Sequence, residues 1–266
     1  MPFIRHHIEV LRTLPLDWHW HIVEGYAKRK GARIEAWFHR DGRSIDGTSD
    51  YLDELAAVYP DQVTVYRKPL GQFWDSEIEM VNTPLSRIKI ACLLWEIDVD
   101  EFWTAAQFLA GHRMFHENPS RYAAFFWCNY FVGPRLQTIS RGGYGNDMGI
   151  EWVRAFRFEP GFFWLMHEPP VLADQSGMPI ARRGMFSHAE TEKRGLVFQH
   201  FAYVIPYQLA FKETYHGYRD APAHWRRLQR HDRFPVRLCE YFPWVKDGTL
   251  VAPTDGAVEV LRQLGV

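Results

Sequence analysis

The chain has 266 residues, enough for one large domain or two small ones, and its 47% hydrophobic content supplies a sizeable core. Its 31 basic and 32 acidic residues nearly cancel, which argues against a general polyanion binder, because such domains carry a clustered basic excess. Three well-separated cysteines (Cys92, Cys128 and Cys239) with no Cys-x-x-Cys pair exclude a zinc knuckle and suit reduced thiols in a cytoplasmic protein, and no apolar run approaches the ~18 residues of a membrane span.

In chain order, residues 3–14 have helical spacing, with Phe3, Ile4, Ile8 and Leu11 on one side, and Pro15 ends the pattern. The charged start, with Arg5, His6 and His7, lacks the apolar stretch of a signal peptide. Residues 19–23 read as a strand that ends at Glu24, and residues 41–48 carry turn chemistry. A helix is expected over 49–58 and a strand over 63–66, followed by a helix near 76–82 and another over 84–94 with Pro84 in its first turn. Trp95-Glu96-Ile97 is then a short strand running into Asp98.

The second half changes character. Residues 122–131 form an aromatic-rich strand pattern, 151–158 and 162–166 suit strands around the Pro160-Gly161 turn, and 197–204 is a further strand candidate. Residues 206–217 and 221–230 look helical, and 255–264 is a weak terminal helix. There is no internal repeat and no linker, so the chain is expected to form one α/β domain, with strands alternating with helices in the front half and a β-rich second half.

The chemistry concentrates at Asp98-Val99-Asp100-Glu101. On an extended chain, side chains at i and i+2 point the same way, so Asp98 and Asp100 are expected to converge at the carboxyl end of a strand, where open α/β sheets place ligands. Two carboxylates that close repel each other. A hard divalent cation, Mn²⁺ or Mg²⁺, relieves that repulsion and can grip a diphosphate. The competing reading is a solvated strand end, with Asp100 capping a helix.

The stretch Leu94-Trp95-Glu96-Ile97-Asp98-Val99-Asp100-Glu101-Phe102-Trp103 resembles the apolar strand, D-x-D-E and aromatic signature of GT-A glycosyltransferases. Ile22-Val23-Glu24 is similar to that family's second strand, whose terminal acid holds the uridine or ribose. Ser44-Ile45-Asp46-Gly47-Thr48 is similar to the S-x-D-G-T that follows, and Asn82 matches an asparagine ahead of the D-x-D strand.

The resemblance covers residues 3–104, the nucleotide-sugar half, and residues 105–266 would form the acceptor side. It implies a mostly parallel Rossmann-type sheet and a strand ahead of the first helix, whereas this chain opens almost at that helix. It implies that Glu24, Asp46, Asn82 and Asp98 bind a UDP- or GDP-linked donor, with Asp98 and Asp100 as metal ligands. The acceptor would be a carbohydrate or other hydroxyl compound; no nucleic-acid partner and no transmembrane segment are expected.

Several other groups are candidates. His200 is either a core histidine or a third metal ligand, and Lys212 is either a cation beside the diphosphate or part of an exposed helix face. Inversion at the sugar would need a base, for which Glu168, beside His167 and before two prolines, is the first candidate and Glu151 the second; Glu101 is a third. The loop from Arg141 to Asn146 is a candidate lid, and Trp127, Tyr130 and Trp164 are candidate acceptor-lining rings. The rival functions are a non-catalytic GT-A-like binding module and another metal-dependent phosphoryl- or nucleotidyl-transfer enzyme. For the latter the expected phosphate loop, G-x-x-x-x-G-K-[ST], is missing.

Overall fold

The computed structural model describes residues 3–28, 41–141 and 152–265. The first helix, α1 (Ile4–Leu11), leads to strand β1 (Trp20–Val23), helix α2 (Thr48–Val58), strand β2 (Val63–Tyr66) and helix α3 (Glu77–Leu85). Strands β3 (Cys92–Trp95) and β4 (Glu101–Phe102) flank the acidic run, and helix α4 (Ala105–Glu117) follows. The second half holds β5 (Ala123–Phe125), β6 (Trp127–Gly133), β7 (Leu136–Thr138), β8 (Val153–Phe158), β9 (Phe163–Met166) and β10 (Val171–Ala173). Then come β11 (Met185–Phe186), α5 (His188–Glu192), β12 (Val197–His200), α6 (Pro206–His216), α7 (Ala221–Gln229), β13 (Val236–Arg237), β14 (Leu250–Pro253) and α8 (Val258–Gln263).

The α/β class holds, but the expectation of a mostly parallel sheet does not. Among the described residues the parallel ladders are β1–β2, β5–β11 and β6–β12, with an isolated parallel bridge between Ala27 and Trp74, and the other ladders are antiparallel. The strands form a six-stranded sheet in the order β13-β14-β7-β6-β12-β4, a four-stranded sheet in the order β11-β5-β8-β3, and the pairs β1-β2 and β9-β10. Short hairpin-like returns in the second half, such as β6 into β7, make antiparallel neighbours, and only long crossovers make parallel ones.

The ending of α3 at Leu85 corrects the expected helix over 84–94. Pro84 lies in the last turn of α3, where a missing N–H costs one bond, and not at a helix start. Cys92–Trp95 instead pairs with β8, Leu93 opposite Arg157 and Trp95 opposite Ala155. Cysteine and leucine are weak strand formers, so this ladder and the packing on its faces decide the conformation.

The main core lies around α4, β5, β6, β8 and β12, with Trp103, Phe125, Phe126, Phe156 and Phe198 fully buried. Two satellite clusters meet at α1. Phe3 packs with Phe102, Phe131 and Phe201, whereas Ile4 and Ile8 pack with Ile22, Leu52 and Val63. On this helix His6 stacks on Phe102 at 3.9 Å, and the Nε2–H of His7 donates to the carbonyl of Val99 at 2.9 Å. Burial lowers the pKa of both imidazoles, with each other's proximity adding for His6, which falls to about 4. Both are therefore neutral near pH 7, and α1 holds the acidic run through an uncharged bond and aromatic contact.

Candidate functional site: the acidic turn

Residues 98–101 form a turn, closed by the amide of Glu101 donating to the carbonyl of Asp98 at 2.9 Å. This corrects the extended geometry expected from the sequence. Asp98 and Asp100 are not side by side on one strand face; the turn sends them to different partners. Asp98 faces the Arg154 guanidinium at 3.4 Å, and Asp100 faces the Nε2 of His200 at 3.5 Å.

Strand register supplies those partners. β8 runs antiparallel to β3, and the amide of Glu96 donates to the Arg154 carbonyl at 2.9 Å, so Arg154 is aligned with the chain just ahead of Asp98. β12 pairs with β4 so that His200 lies opposite Glu101, and the amide of Phe201 donates to the carbonyl of Asp100 at 2.8 Å. Helix α6 then presents Gln208 and Lys212, one turn apart on one face. The Gln208 side chain donates to Asp100 at 3.2 Å, and Lys212 lies 5.2 Å over the Tyr203 ring.

Arg154 is the hub. Its guanidinium donates through both Nε and Nη2 to Glu101, at 2.7 to 3.0 Å, and reaches Glu96 and Asp98 at 3.4 Å each. Its side chain is only 6% exposed and lies 5.3 Å from the Trp152 ring centre. His167, in the turn after β9, extends the network by donating to Glu96 at 3.1 Å. Glu96, Asp98, Asp100 and Glu101 thus face the cations Arg154, His167, His200 and Lys212.

Electrostatics follow from this pairing. Burial pushes the Glu101 carboxyl up to about 7, against the pull of Arg154 and with the Asp98 charge adding to the rise. Asp100 is also largely buried, with 19% of its side chain exposed, yet the charge and hydrogen bond of His200, with Lys212 behind, hold its carboxyl below the usual range. His200 is raised in return, because Asp100 outweighs the cost of burying its charge. The hydrogen bond to Glu96 lifts His167 to about 9 despite burial, helped by the charges of Glu96, Asp98 and Glu168.

The structure therefore brings Asp98, Asp100, His200 and Lys212 together, with Glu168 exposed on the rim beside His167. Glu101 is fully buried against Arg154 and cannot reach an acceptor as a base. Glu151 and residues 142–146 lie outside the described residues. Arg141 pairs with Glu192 at 3.1 Å.

Besides Asp98, the three other residues expected on the donor side are in different settings. Glu24, at the end of β1, is buried and accepts from the amide of Ser44 at 3.2 Å, the hydroxyl of Ser49, and Nε of Arg67 at 2.5 Å. Asp46 accepts from the amide of Thr48 at 3.1 Å, and its charge adds to the burial that lifts the Tyr207 phenol to about 12, which brings it near the start of α6. Asn82 is committed to structure: its amide donates to the carbonyls of Ile78 and Trp164 at 2.9 and 3.0 Å and accepts from the Trp164 amide at 2.8 Å, fastening α3 to β9. Of the expected acceptor-lining rings, Tyr130 and Trp164 are core, 6% and 4% exposed, and Trp127 is half-buried against His188.

No group of three or more His, Cys, Asp or Glu side chains is arranged to hold a metal ion among the described residues. Two carboxylates remain, and Asp98 is 46% exposed. Each of the two is already paired with a resident cation, Asp98 with Arg154 and Asp100 with His200. His200 in its present pose is engaged with Asp100 through Nε2, while its buried Nδ1 has no hydrogen-bond partner.

No protein family, curated protein or solved structure matches this chain. The functional reading therefore stands on the acidic turn itself.

Arg154, Glu96 and Gln208 were missed from the sequence. Arg154, at a buried position of Val153–Phe158, a strand apolar but for its two arginines, is a signal for a buried ionic partner. Gln208 has no sequence signal beyond lying four residues before Lys212.

Proposed function

We propose that the chain is a glycosyltransferase that takes a sugar from a UDP- or GDP-linked donor, with Mn²⁺ or Mg²⁺, and passes it to a hydroxyl of a carbohydrate or other acceptor. The observation that carries this reading is the acidic turn itself: a half-exposed Asp98 next to an Asp100 ringed by His200, Gln208 and Lys212. A bound divalent cation would supply Lewis acidity and charge neutralisation at the diphosphate. The chain's own residues do the rest. Lys212 and protonated His200, both acting on Asp100, would stabilise charge gathering on a leaving diphosphate, and such fixed cations act most strongly in a partly dry site. Gln208 orients Asp100, and Arg154 orients Asp98. Glu24 and Asp46 would serve the donor. Glu168, exposed on the rim, is the base candidate for an acceptor hydroxyl.

A second reading is a GT-A-like module that binds nucleotide without turnover. The observation that favours it is the pairing of each acidic group at the turn with a resident cation. Incubation with UDP- and GDP-sugars and Mn²⁺, followed by chromatography of released nucleotide, separates the two. A transferase releases nucleotide slowly to water without an acceptor, and Asp100→Asn stops it. Nucleotide binding with no release in any donor supports the module, and neither binding nor release refutes both.

A further inference from the structure

The near-neutral total charge conceals a segregated one. Residues 219–237 contain Arg219, Arg226, Arg227, Arg230, Arg233 and Arg237 against only Asp220 and Asp232. Setting this segment aside leaves 25 basic and 30 acidic residues in the rest of the chain, so a stretch of net charge +4 sits on a body of −5.

Helix α7 turns this composition into a surface. Ala221, Trp225 and Leu228 are buried, and at 3.6 residues per turn Arg226, Arg227 and Arg230 fall on the opposite side. They are exposed, as are Arg219, Arg233 and Arg237, and no acidic residue lies on α7 itself. Arg227 is partly used, donating to the carbonyl of Glu240 and lying 5.1 Å from the Tyr241 ring centre. Arg219 lies 3.6 Å from Asp220. Arg226, Arg230, Arg233 and Arg237 form no ion pair with a described residue. Like charges gathered on one segment repel, so a bound anionic surface would relieve the cluster.

We propose that this face docks on the surface of an anionic phospholipid bilayer. Guanidinium groups match phosphate oxygens in a forked geometry, and a row of them on the outside of a helix suits a planar array of headgroups. Leu250, an exposed aliphatic on β14 opposite Arg237, adds an apolar contact at the edge of the strip. Single-stranded nucleic acid is a poorer match, because it needs free aromatic faces for base stacking. Trp225 is buried with its indole N–H on the Tyr203 carbonyl, and Trp244 is stacked with Phe242 and Tyr218 at 4.8 and 4.7 Å. A depression of about 290 Å³ bounded by Tyr218, Arg219, Asp220, His224 and Trp244 shares Arg219 with this segment. The proposal is independent of the transferase reading.

The test is co-sedimentation of the full chain with vesicles of phosphatidylcholine alone and of phosphatidylcholine mixed with phosphatidylglycerol, at low salt. Binding only to the mixed vesicles, with release as salt shortens the screening length below ~10 Å, is expected. Arg226→Gln/Arg230→Gln/Arg233→Gln changes three exposed side chains, and its thermal melt checks that it is folded. At about a factor of five per arginine it should lose about a hundredfold in partitioning. Equal binding to both vesicles, no binding to the mixed ones, or an unaffected triple variant would each overturn the proposal. So would equally tight binding to duplex DNA or a sulfated glycan at the same salt, which would assign the strip to soluble polyanions.

Discussion

Replacing Arg154 by methionine should be the most damaging single change in the acidic site. Methionine keeps an unbranched apolar stem but removes the guanidinium, leaving Glu101, with no exposed surface, without its compensating charge. Breaking a buried pair by removing one partner costs about 3–5 kcal/mol, because the surviving charge keeps its desolvation penalty and loses its compensation. For a chain of this size that is a fall in Tm on the order of 10 °C. Denaturant titration above pH 7.5 measures it. The companion variant Arg154→Met/Glu101→Met removes both charges and should regain at least half of the loss.

The pH dependence has a fixed sign. Glu101 is raised above its ordinary value of 4.5 to about 7 in the folded protein, and losing Arg154 raises it further. Such a group contributes stability that is full below 4.5 and lost as pH rises through the folded value. The single variant should therefore come closest to wild type near pH 5 and fall further behind toward pH 8. A deficit that is constant across that range, or a double variant as unstable as the single, would refute the assignment of Arg154 as the compensating charge.

His167→Gln should flatten part of the pH profile. His167 is raised from 6.5 to about 9, so its contribution, about 3 kcal/mol at most, is full below pH 6.5 and disappears as pH rises through about 9; denaturant melts across that window, with the metal chelated, read it directly. Asn82→Ala should cost about 2 kcal/mol, because both backbone groups of Trp164 lose their partner, while UDP affinity stays within about twofold; calorimetric titration beside a denaturant melt checks both halves. Thr104→Ala, which breaks the capping box with Gln107 at the start of α4, should cost about 1 kcal/mol in the same melt.

Elements with a clear local pattern were legible in the sequence. β2 matches the alternation of Val63 to Tyr66, and α1 and α7 follow the spacing of their buried residues. The acidic run was legible as a cluster of carboxylates, but its shape was not, because a one-turn closure between Glu101 and Asp98 reverses what alternation implies for side-chain direction. The strand Cys92–Trp95 was hidden because its partner, β8, lies some sixty residues away and no local signal encodes that register. The same distance hid Arg154. Whole-chain charge misled in another way: the +4 segment around α7 vanishes when averaged with the rest.

The central claim is that the acidic turn binds a nucleoside diphosphate. Isothermal titration of UDP and GDP, each with and without Mn²⁺, into the wild-type chain and into Asp100→Asn tests it most directly. The account predicts binding of one nucleotide that strengthens with Mn²⁺ and weakens at least about tenfold in the variant, a loss of about 1.4 kcal/mol. Absence of binding in the wild type, or equal affinity in Asp100→Asn, would contradict it.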